Sequence, residues 1–474
     1  MRKKSAPAAR AKDADARRLT ALEEKIKREP DSIDAYLEMA ALMSRRREPG
    51  MAAQLLRTAL DRAPRHLGLL TNLGGLLASA SYTAEEGIGY LRQVVEQMPR
   101  SYLSHYNLAI GLKTAGQFAE SATQFRFTLD LKPDFADALV NLGHVLLELG
   151  KVAEAAEAYE TALPLRRAPG VVSRAPIKTN AAKLRHDIEQ LRHLLGLGLL
   201  DSQFEAMIAD FEAALADLPP LPNGLTTVDL PEPHRARLAP IYNRLLHRHD
   251  GTPVAAGAVN PELDRVAIEQ SYGDNAPGYA WFDRLLTPAA LRELRDYCLQ
   301  STIWFQCRYG DGYLGAFMDD GFCCPLLLQI ADELRQALPG IFAQHTLRRL
   351  WAFKYDSRMS GIPIHADFAA VNVNFWVTPD EANLEKDSGG LIVWNRRMPP
   401  DWELWRYKDD IPAIREYLSK NRAKSLGVPY RQNRAVMFNS DLFHETAKLN
   451  FREGYENRRI NITMLFGRRE SGGT

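Results

Sequence analysis

A pattern that repeats every 34 residues constrains the first third of this 474-residue chain more than any other feature. Leu108-Ala109 recurs as Leu142-Gly143, and Gly116 recurs as Gly150 in the same phase. A unit of this length cannot bury its own apolar face, so neighbouring units must stack to make a core. We therefore predict an all-α solenoid of helix pairs. The predicted units span residues 33–66, 67–100, 102–135 and 136–169.

The residue types at the repeated positions explain how the helices of such a unit pack. Small residues stand where the first helix approaches the second, at Ala40, Gly74, Ala109 and Gly143. Large residues fill the space between units, at Leu56, Leu91, Phe125 and Tyr159. The pattern resembles the tetratricopeptide repeat, a family of helix–turn–helix arrays, over about a third of the chain. The resemblance implies a concave face that binds a protein or peptide, or that pairs two copies as a homodimer.

Composition describes an ordinary globular protein of two or three domains, with 46% hydrophobic and 25% charged residues. The net charge of +1 gives no argument for a nucleic-acid partner, and no clustered basic–aromatic groove is visible. No apolar run approaches the ~20 residues of a membrane span, so no membrane association is expected. The four cysteines suit reduced, buried thiols in a cytoplasmic protein.

The chain divides by composition into four predicted regions. Two amphipathic helices, Lys178 to Leu200 and Ser202 to Leu218, are expected to cap the open end of the solenoid. Pro219 to Gly224, with Pro231 and Pro233, is typical of a linker. The predicted regions are a basic tail and leading helix (1–30), the repeats (31–169), the helical cap and Pro-rich linker (170–275), and a C-terminal domain (276–470).

Short apolar runs separated by Gly, Pro and acidic turns dominate the C-terminal domain, where they predict a β sandwich or barrel with flanking helices. The expected strands are Tyr279 to Asp283, Leu350 to Tyr355, Val371 to Val377, Gly390 to Asn395, Ala435 to Asn439 and Arg459 to Phe466. The whole chain is therefore predicted to be a multidomain α + β protein.

Within this domain, the stretch Ile362 to Phe368 contains the sequence His365-Ala-Asp367. A His-x-Asp/Glu pattern is expected about once by chance in a chain of this composition, so the context must decide its meaning. Side chains alternate along an extended segment, which places His365 and Asp367 on one face. His444 follows a predicted strand and could supply a third ligand. Two histidines and one carboxylate form the facial triad of non-haem Fe(II) oxygenases, with positions left for a bidentate 2-oxo acid and O₂.

An acidic cosubstrate also needs its far carboxylate held, and an arginine can do this with two parallel hydrogen bonds. Arg459 opens the last predicted strand and would share a face with Asn461 and Thr463. Arg458 is the alternative anchor, but it would share its face with the apolar residues Ile460 and Ile462. We favour Arg459.

Taken in order, His365-Ala-Asp367, His444 and Arg459-Ile-Asn-Ile-Thr463 resemble the 2-oxoglutarate/Fe(II)-dependent dioxygenases of the prolyl-hydroxylase type. Ser388-Gly-Gly-Leu-Ile-Val393 resembles the Gly-Gly strand of that family, and Tyr355 resembles a tyrosine that helps bind the oxo acid. The resemblance implies a double-stranded β-helix, or jelly roll, over residues 276–470. It also implies catalytic metal ligands at His365, Asp367 and His444, and 2-oxoglutarate contacts at Arg459, Tyr355 and Thr463. The implied reaction is hydroxylation coupled to conversion of 2-oxoglutarate and O₂ to succinate and CO₂.

The substrate-facing wall is less constrained by the sequence. Asn372 and Asn374 are polar residues in an otherwise apolar strand and are our candidates for substrate contact. The insertion from Asn395 to Gln432 carries Trp402, which is either a substrate contact or a packing residue.

Three functions are compatible with these features. The first is a hydroxylase acting on a protein or peptide that the repeats recruit. The second is the same chemistry on a small molecule or sugar, with the repeats used for dimerisation. The third is a non-catalytic repeat scaffold with a degenerate jelly roll.

Overall fold

A computed structural model of the chain describes residues 6–170, 176–219, 227–307, 313–355 and 361–469. The chain divides into two compact units, Met1–Leu149 and Gly150–Thr474. No helix in these described ranges is long and apolar enough to cross a membrane.

The first unit is entirely helical in its described residues. Its helices are α1 Ala6–Arg28, α2 Ile33–Arg45, α3 Pro49–Arg62, α4 Leu67–Leu77, α5 Ala84–Gln97, α6 Tyr102–Thr114, α7 Phe118–Leu131 and α8 Ala136–Glu148. With α9, Val152–Arg167 in the second unit, helices α2 to α9 fall in pairs within the four predicted repeats. The leading helix begins at Ala6, so only residues outside the described ranges remain for the predicted tail.

The repeat positions do the packing that their residue types predict. A Cβ at Gly74 would lie 2.9 Å from Cγ of Leu91 and 3.0 Å from the carbonyl oxygen of Gly87, so only glycine lets α4 approach α5 this closely. Gly116 and Gly150 take positive φ angles of 76° and 75° just after the ends of α6 and α8. The large residues Leu56, Leu91, Phe125 and Tyr159 are all buried.

The remaining helices belong to the second unit. They are α10 Ala181–Gly196, α11 Gln203–Ala216, α12 His234–Leu238, α13 Arg265–Asp274, α14 Pro288–Gln300, α15 Pro325–Ala337, α16 Pro339–Phe342, α17 Leu404–Lys408 and α18 Ile411–Lys420. Helix α9 is tied into this unit by an ion pair between Arg167 and the buried Asp320, whose Nε to Oδ1 distance is 2.8 Å. The boundary between the units thus falls inside the fourth repeat rather than after it.

The second unit also holds the strands. They are β1 Lys178–Thr179, β2 Val228–Asp229, β3 Tyr279–Phe282, β4 Leu314–Phe317, β5 Leu347–Tyr355, β6 Val371–Trp376, β7 Leu391–Arg397, β8 Ser425–Val428, β9 Ala435–Asn439, β10 Leu442–Thr446 and β11 Arg459–Phe466. A six-stranded antiparallel sheet has the order β3-β9-β6-β11-β5-β4, and a three-stranded antiparallel sheet has the order β10-β7-β8. The six strands predicted from the sequence are present, and β1, β2, β4, β8 and β10 were not predicted.

One apolar cluster fills the space between these two sheets. The larger sheet contributes Phe353, Tyr355 and Trp376, and the smaller sheet contributes Leu391 and Val393. A second cluster covers the opposite side of the smaller sheet, where Phe443 and Trp394 pack against Tyr407, Ile414 and Leu418 of α17 and α18. Buried residues of β7 and β10 are therefore covered on both faces of the smaller sheet.

The predicted linker is partly wrong. Residues 220–226, which contain most of the Pro219 to Gly224 stretch, lie outside the described residues. Beyond them, Leu230, Leu238 and Tyr242 are buried in a core shared with α10 and α11. The two helices predicted to cap the solenoid, α10 and α11, bury their apolar faces in this core, which lies within the second unit. These apolar residues hold the segment in place by being buried. The prolines around them had suggested a linker, and composition alone did not draw attention to the apolar residues.

Candidate metal centre

His365, Asp367 and His444 meet at one point between the two sheets. One potential ligand atom from each lies within 4.8 Å of the others, and this is the only such group found in the described ranges. Nε2 of His444 is 3.5 Å from Oδ2 of Asp367, and Nε2 of His365 is 3.9 Å from Oδ1. The segment holding His365 reaches this point by pairing with β10, because the backbones of His365 and His444 exchange hydrogen bonds of 3.0 and 2.8 Å.

The backbone selects one nitrogen of each imidazole for binding a metal. Nδ1 of His365 lies 2.9 Å from the carbonyl oxygen of Pro363, and Nδ1 of His444 lies 3.1 Å from that of Leu442. A carbonyl oxygen only accepts, so each Nδ1 carries the proton and donates it. Nε2 of both rings is left as the nitrogen with a free lone pair. Both Nε2 atoms are the ones nearest to Asp367.

Asp367 is almost completely buried and is surrounded by donors. Lys408 donates from Nζ to Oδ1 at 2.5 Å, and Asn372 donates from Nδ2 to Oδ2 at 2.6 Å. Burial by itself would raise the pKa of Asp367, but the Lys408 ammonium and the two imidazoles outweigh it and hold the pKa well below its ordinary value. The carboxyl group is therefore ionised at neutral pH.

The two imidazoles are neutral under the same conditions. Burial, followed by the neighbouring His444 and Lys408, lowers the pKa of His365 to about 3. Burial also lowers the pKa of His444. Neutral imidazoles and an ionised carboxylate are the protonation states that a divalent metal requires, so binding would not have to displace a proton.

Arg459 is buried at the first position of β11 and faces the same interior. Its directly paired residue on β5 is Tyr355, whose ring centre lies 5.2 Å from the guanidinium carbon. Nε donates to the carbonyl oxygen of Gly389 at 2.6 Å and Nη2 donates to that of Gly390 at 3.3 Å. Nη1 is buried and has no hydrogen-bond partner within the described residues. A buried charge with a donor left over is what a carboxylate ligand would satisfy.

The structure separates the two arginines that the sequence left as alternatives. Arg458 lies on the other face of the chain and pairs with Glu189 at 2.8 Å between Nε and Oε2. Its own carbonyl oxygen accepts a hydrogen bond from Thr378. Only Arg459 is turned toward the interior that holds the two histidines, as the alternation along β11 predicts.

A network of hydrogen-bonded amide side chains, which we call the amide network, connects Asp367 to Thr463. From Asp367 it runs through Asn372 to Asn374, whose Nδ2 donates to Oδ1 of Asn372 at 2.6 Å. Oδ1 of Asn374 then accepts from Thr463 at 2.7 Å and from Asn461 at 2.9 Å. Asn372 and Asn374 thus face the site as predicted, but their side chains hold Asp367 and β11 in place. In this amide network the hydroxyl of Thr463 is occupied by its hydrogen bond to Asn374, which positions the side chain.

Trp402 does not lie at the site. Its ring packs 6.0 Å from the ring of Phe443 and 5.4 Å from that of Tyr417, between centres. Phe443 alternates with His444 along β10, so Trp402 covers the face of the smaller sheet that points away from the histidines. The packing alternative for Trp402 is the one that this geometry favours.

The insertion nevertheless reaches the site through Lys408, which sequence reasoning missed. Lys408 ends α17, and the carbonyl oxygen of the preceding Tyr407 accepts a hydrogen bond of 3.1 Å from the backbone of Ala366. The insertion is therefore hydrogen-bonded, through Tyr407 and Lys408, to the segment that carries His365 and Asp367. No motif marks this lysine, since its partner lies 41 residues away in the sequence.

The comparisons with known proteins concern the repeats. A family model described as tetratricopeptide repeat matches residues 106–171. Over 81 residues the chain is 31% identical to the Hsp70-Hsp90 organizing protein of Triticum aestivum, a match that covers 17% of this chain and 14% of that protein. The N-terminal region is thus shown to contain tetratricopeptide repeats.

Solved structures are also similar to part of the chain. MamA from Desulfovibrio magneticus RS-1, from residue 41 to its end, is 18% identical with a TM-score of 0.30, covering 31% of this chain and 83% of that one. YrrB, described as a TPR protein with an unusual peptide-binding site, is 18% identical with a TM-score of 0.30, covering 33% and 80% respectively.

Proposed function

We propose that the second unit is an Fe(II)- and 2-oxoglutarate-dependent dioxygenase that hydroxylates a side chain of a protein or peptide. The observation that carries this proposal is the pairing of two features in one interior. One is a set of two Nε2 atoms and a carboxylate within 4.8 Å. The other is a buried arginine whose Nη1 lacks a partner in the described chain. A metal and an acidic cosubstrate would satisfy both.

The strand order supports a double-stranded β-helix. Four strands of the larger sheet follow the order β5-β11-β6-β9. The His365 segment bridges to β10 and so extends the smaller sheet to four neighbours, with the order His365 segment, β10, β7, β8. Two facing sets of four antiparallel strands, with the apolar cluster between them, are the arrangement that a jelly roll requires.

The residues of this chain would divide the work as follows. His365, Asp367 and His444 would hold the iron, which when bound supplies the activation of O₂ that drives hydroxylation. Arg459 would bind the far carboxylate of 2-oxoglutarate through the Nη1 donor, with Tyr355 beside it. The amide network from Asp367 to Thr463 would hold the metal ligand Asp367 in a fixed position relative to β11, the strand that carries Arg459. The aromatic residues between the sheets would exclude water from the reacting groups.

The repeats would recruit the substrate. Tetratricopeptide arrays are stacked helix pairs with an extended surface that binds peptides or proteins. The related wheat protein is named as an organiser of two other proteins, which fits this use of the repeats. In the first unit, Asn72, Asn107 and Asn141 stand at the same repeat position, directly before Leu73, Leu108 and Leu142. All three are at least partly exposed, and amide side chains can pair with both groups of a peptide backbone.

A non-catalytic scaffold is the second candidate, and one contact favours it. The Lys408 ammonium already neutralises Asp367 at 2.5 Å, as a bound cation would. In a scaffold, this ion pair would be permanent and would simply hold the insertion on the sheet.

Metal binding and turnover separate the two candidates. The wild-type chain is expected to bind one Fe(II) and to form succinate from 2-oxoglutarate, whereas His365→Ala and His444→Ala should lose both activities. His193→Ala is the matched control, because His193, on α10, packs against Tyr455 and is no part of the site. Wild-type protein that binds no divalent metal would leave only the scaffold. Unchanged iron binding in His365→Ala would refute the assignment of the ligands.

A further inference from the structure

A cavity in the Gly150–Thr474 unit shares no residue with the candidate metal centre. Its volume is about 720 Å³. Its wall includes Arg167, Tyr242, Asn243, Arg244, Phe305 and Gln306. This volume lies within the range of roughly 300–1,000 Å³ that is common for small-molecule sites.

Arg244 distinguishes this cavity from a simple packing defect. The residue is only 9% exposed, and among the described residues its guanidinium makes one hydrogen bond, from Nη1 to the carbonyl oxygen of Arg166 at 3.1 Å. Nε is buried and has no partner among the described residues, and no carboxylate within the described ranges pairs with the guanidinium. Burial and the neighbouring Arg167 lower the pKa of Arg244, as expected for a charge that nothing offsets.

The two neighbouring arginines show that the absence of an acid is specific to Arg244. Arg167 makes two contacts with the carboxylate of Asp320 and lies over the ring of Phe305 at 4.3 Å. Arg248 pairs with Glu160, with Nη1 and Oε2 3.0 Å apart. Both charges are thus balanced within the unit, whereas Arg244, which lines the cavity, pairs with no carboxylate among the described residues. A buried, unpaired charge is strongly unfavourable unless a ligand supplies its partner.

The residue before Arg244 supports the same interpretation. Asn243 has a positive φ of 55°, the left-handed conformation that asparagine adopts more readily than most other residues. Its Oδ1 is buried and also lacks a partner in the described chain. Two adjacent residues of the cavity wall therefore carry one donor and one acceptor that have no partner in the described chain. A ligand with an anionic group and a hydroxyl or amide donor would satisfy both.

We propose that this cavity binds a small organic anion, anchored through its carboxylate or phosphate by Arg244. Tyr242 and Phe305 would flank the body of the ligand. The proposal is independent of the dioxygenase function, because it depends only on the cavity, the buried guanidinium and the partners that this guanidinium lacks.

Thermal unfolding of the full chain tests the proposal with inorganic phosphate and citrate as probes, each against sodium chloride of equal ionic strength. All seven tryptophans lie in the second unit, so their fluorescence reports on that unit alone. One of the two probes should raise the midpoint of wild-type protein by about 3–6 °C at saturation. Arg244→Met should lose this rise, and Arg244→Lys should reduce it. Arg459→Met should keep it, since Arg459 is also a buried guanidinium with an unpaired nitrogen but does not line this cavity.

The ligand-free variant gives a second reading. Without an anion, Arg244→Met should be at least as stable as wild type, because the substitution removes a buried charge that has no partner. No stabilisation of wild type by either probe would overturn the proposal. So would equal stabilisation of Arg244→Met, or its loss in Arg459→Met alone. An Arg244→Met chain that is markedly destabilised or fails to fold would assign Arg244 a structural role and overturn it as well.

Discussion

The ammonium of Lys408 lies 2.5 Å from Oδ1 of Asp367, so a lysine of the insertion contacts the carboxylate of the candidate metal centre directly. The contact can act in two opposite ways. It orients the carboxylate, and it also places a positive charge where a divalent cation would bind. Because Asn372 orients the same carboxylate from its other oxygen, we expect the repulsion to dominate.

Lys408→Met should therefore bind Mn(II) or Fe(II) about tenfold more tightly than wild type. Two unit charges about 4 Å apart interact by about 1–4 kcal/mol at effective dielectric constants of 80 to 20, and tenfold corresponds to about 1.4 kcal/mol. Titration calorimetry measures the change. Lys420→Met, at an exposed lysine of α18 that pairs with Glu416, should leave the affinity unchanged. Weaker binding by Lys408→Met would mean that the lysine serves to position Asp367.

Arg459→Met should raise the KM for 2-oxoglutarate about 100-fold, because the charge-assisted bonds to its far carboxylate would be lost. Arg459→Lys should recover only part of this, since an ammonium cannot form two parallel bonds. Arg458→Met is the matched control on the opposite face of the same strand start. It breaks the pair with Glu189 and should lower stability without changing KM. A larger KM effect at Arg458 would reverse the choice between the two arginines.

Gly390→Ala should destabilise the second unit by about 2–3 kcal/mol, or more. A Cβ there would lie 1.9 Å from the carbonyl oxygen of Val428, so β7 and β8 would have to separate. Gly427 on β8 has nothing within 4 Å of a built Cβ, and Gly427→Ala should change stability by less than about 0.5 kcal/mol. Urea unfolding followed by tryptophan fluorescence compares the two. Similar effects of both substitutions would contradict the close approach at Gly390.

His186 should make the stability of the second unit depend on pH. Its ring is fully buried against Trp304 and Tyr455, and burial, with the nearby Lys354, Arg458 and Lys183, lowers its pKa well below the ordinary 6.5. Below about pH 6.5 the unfolded chain takes up a proton that the folded chain does not. The stability that the neutral ring contributes is therefore present above pH 6.5 and is lost as the pH falls.

In urea titrations between pH 7.5 and 5.5, His186→Gln should show a shallower loss of stability than wild type. The difference in slope should approach about 1.4 kcal/mol per pH unit below pH 6. His66→Gln, at the start of α4 in the first unit, should keep the wild-type slope. Identical slopes in wild type and His186→Gln would show that the buried ring is not neutral in the folded protein.

The combined substitution of Asn72, Asn107 and Asn141 by Ala should reduce hydroxylation of protein substrates while leaving 2-oxoglutarate decay without substrate unchanged. The measurement is the yield of +16 mass shifts in host peptides and proteins after incubation with the enzyme. Thr58, Thr123 and Thr161, exposed residues on the second helices of their pairs, are the control set for substitution by Ala. Equal losses in both sets would count against recognition by the asparagines.

The parts of the structure that follow from local pattern were predicted well. The helix pairs, the predicted strand from Leu350 to Tyr355 (observed as Leu347–Tyr355) and the shared face of Arg459 and Thr463 all follow from periodicities of 34, 3.6 or 2 residues. Strand β8 was not predicted because Ser425, Leu426 and Gly427 are all exposed and show no alternation. Strand β10 was not predicted because its apolar pair, Leu442 and Phe443, is followed by three polar residues and shows no alternation.

The contacts that define the candidate metal centre and the Arg244 cavity could not be predicted, since each joins residues far apart in the sequence. Lys408 meets Asp367 only because α17 folds back on the smaller sheet. Arg244 is an ordinary arginine in sequence, and its isolation from carboxylates depends on where α9 and the Phe305 segment come to lie. Asn372 and Asn374 lie beside Asp367 and β11, and their hydrogen bonds there fix a supporting role that polarity alone could not assign.

The boundary between Leu149 and Gly150 limits how this architecture can change during evolution. Repeat arrays usually gain or lose whole helix pairs, and α2 to α7 could be duplicated or deleted on those terms. The last pair, α8 and α9, cannot be deleted in this way, because α9 makes contacts within the second unit. Arg167 forms an ion pair with Asp320, and the carbonyl oxygen of Arg166 accepts a hydrogen bond from Arg244. Homologues should therefore vary in the number of repeats before residue 136 while keeping α9 at a fixed distance from the strands.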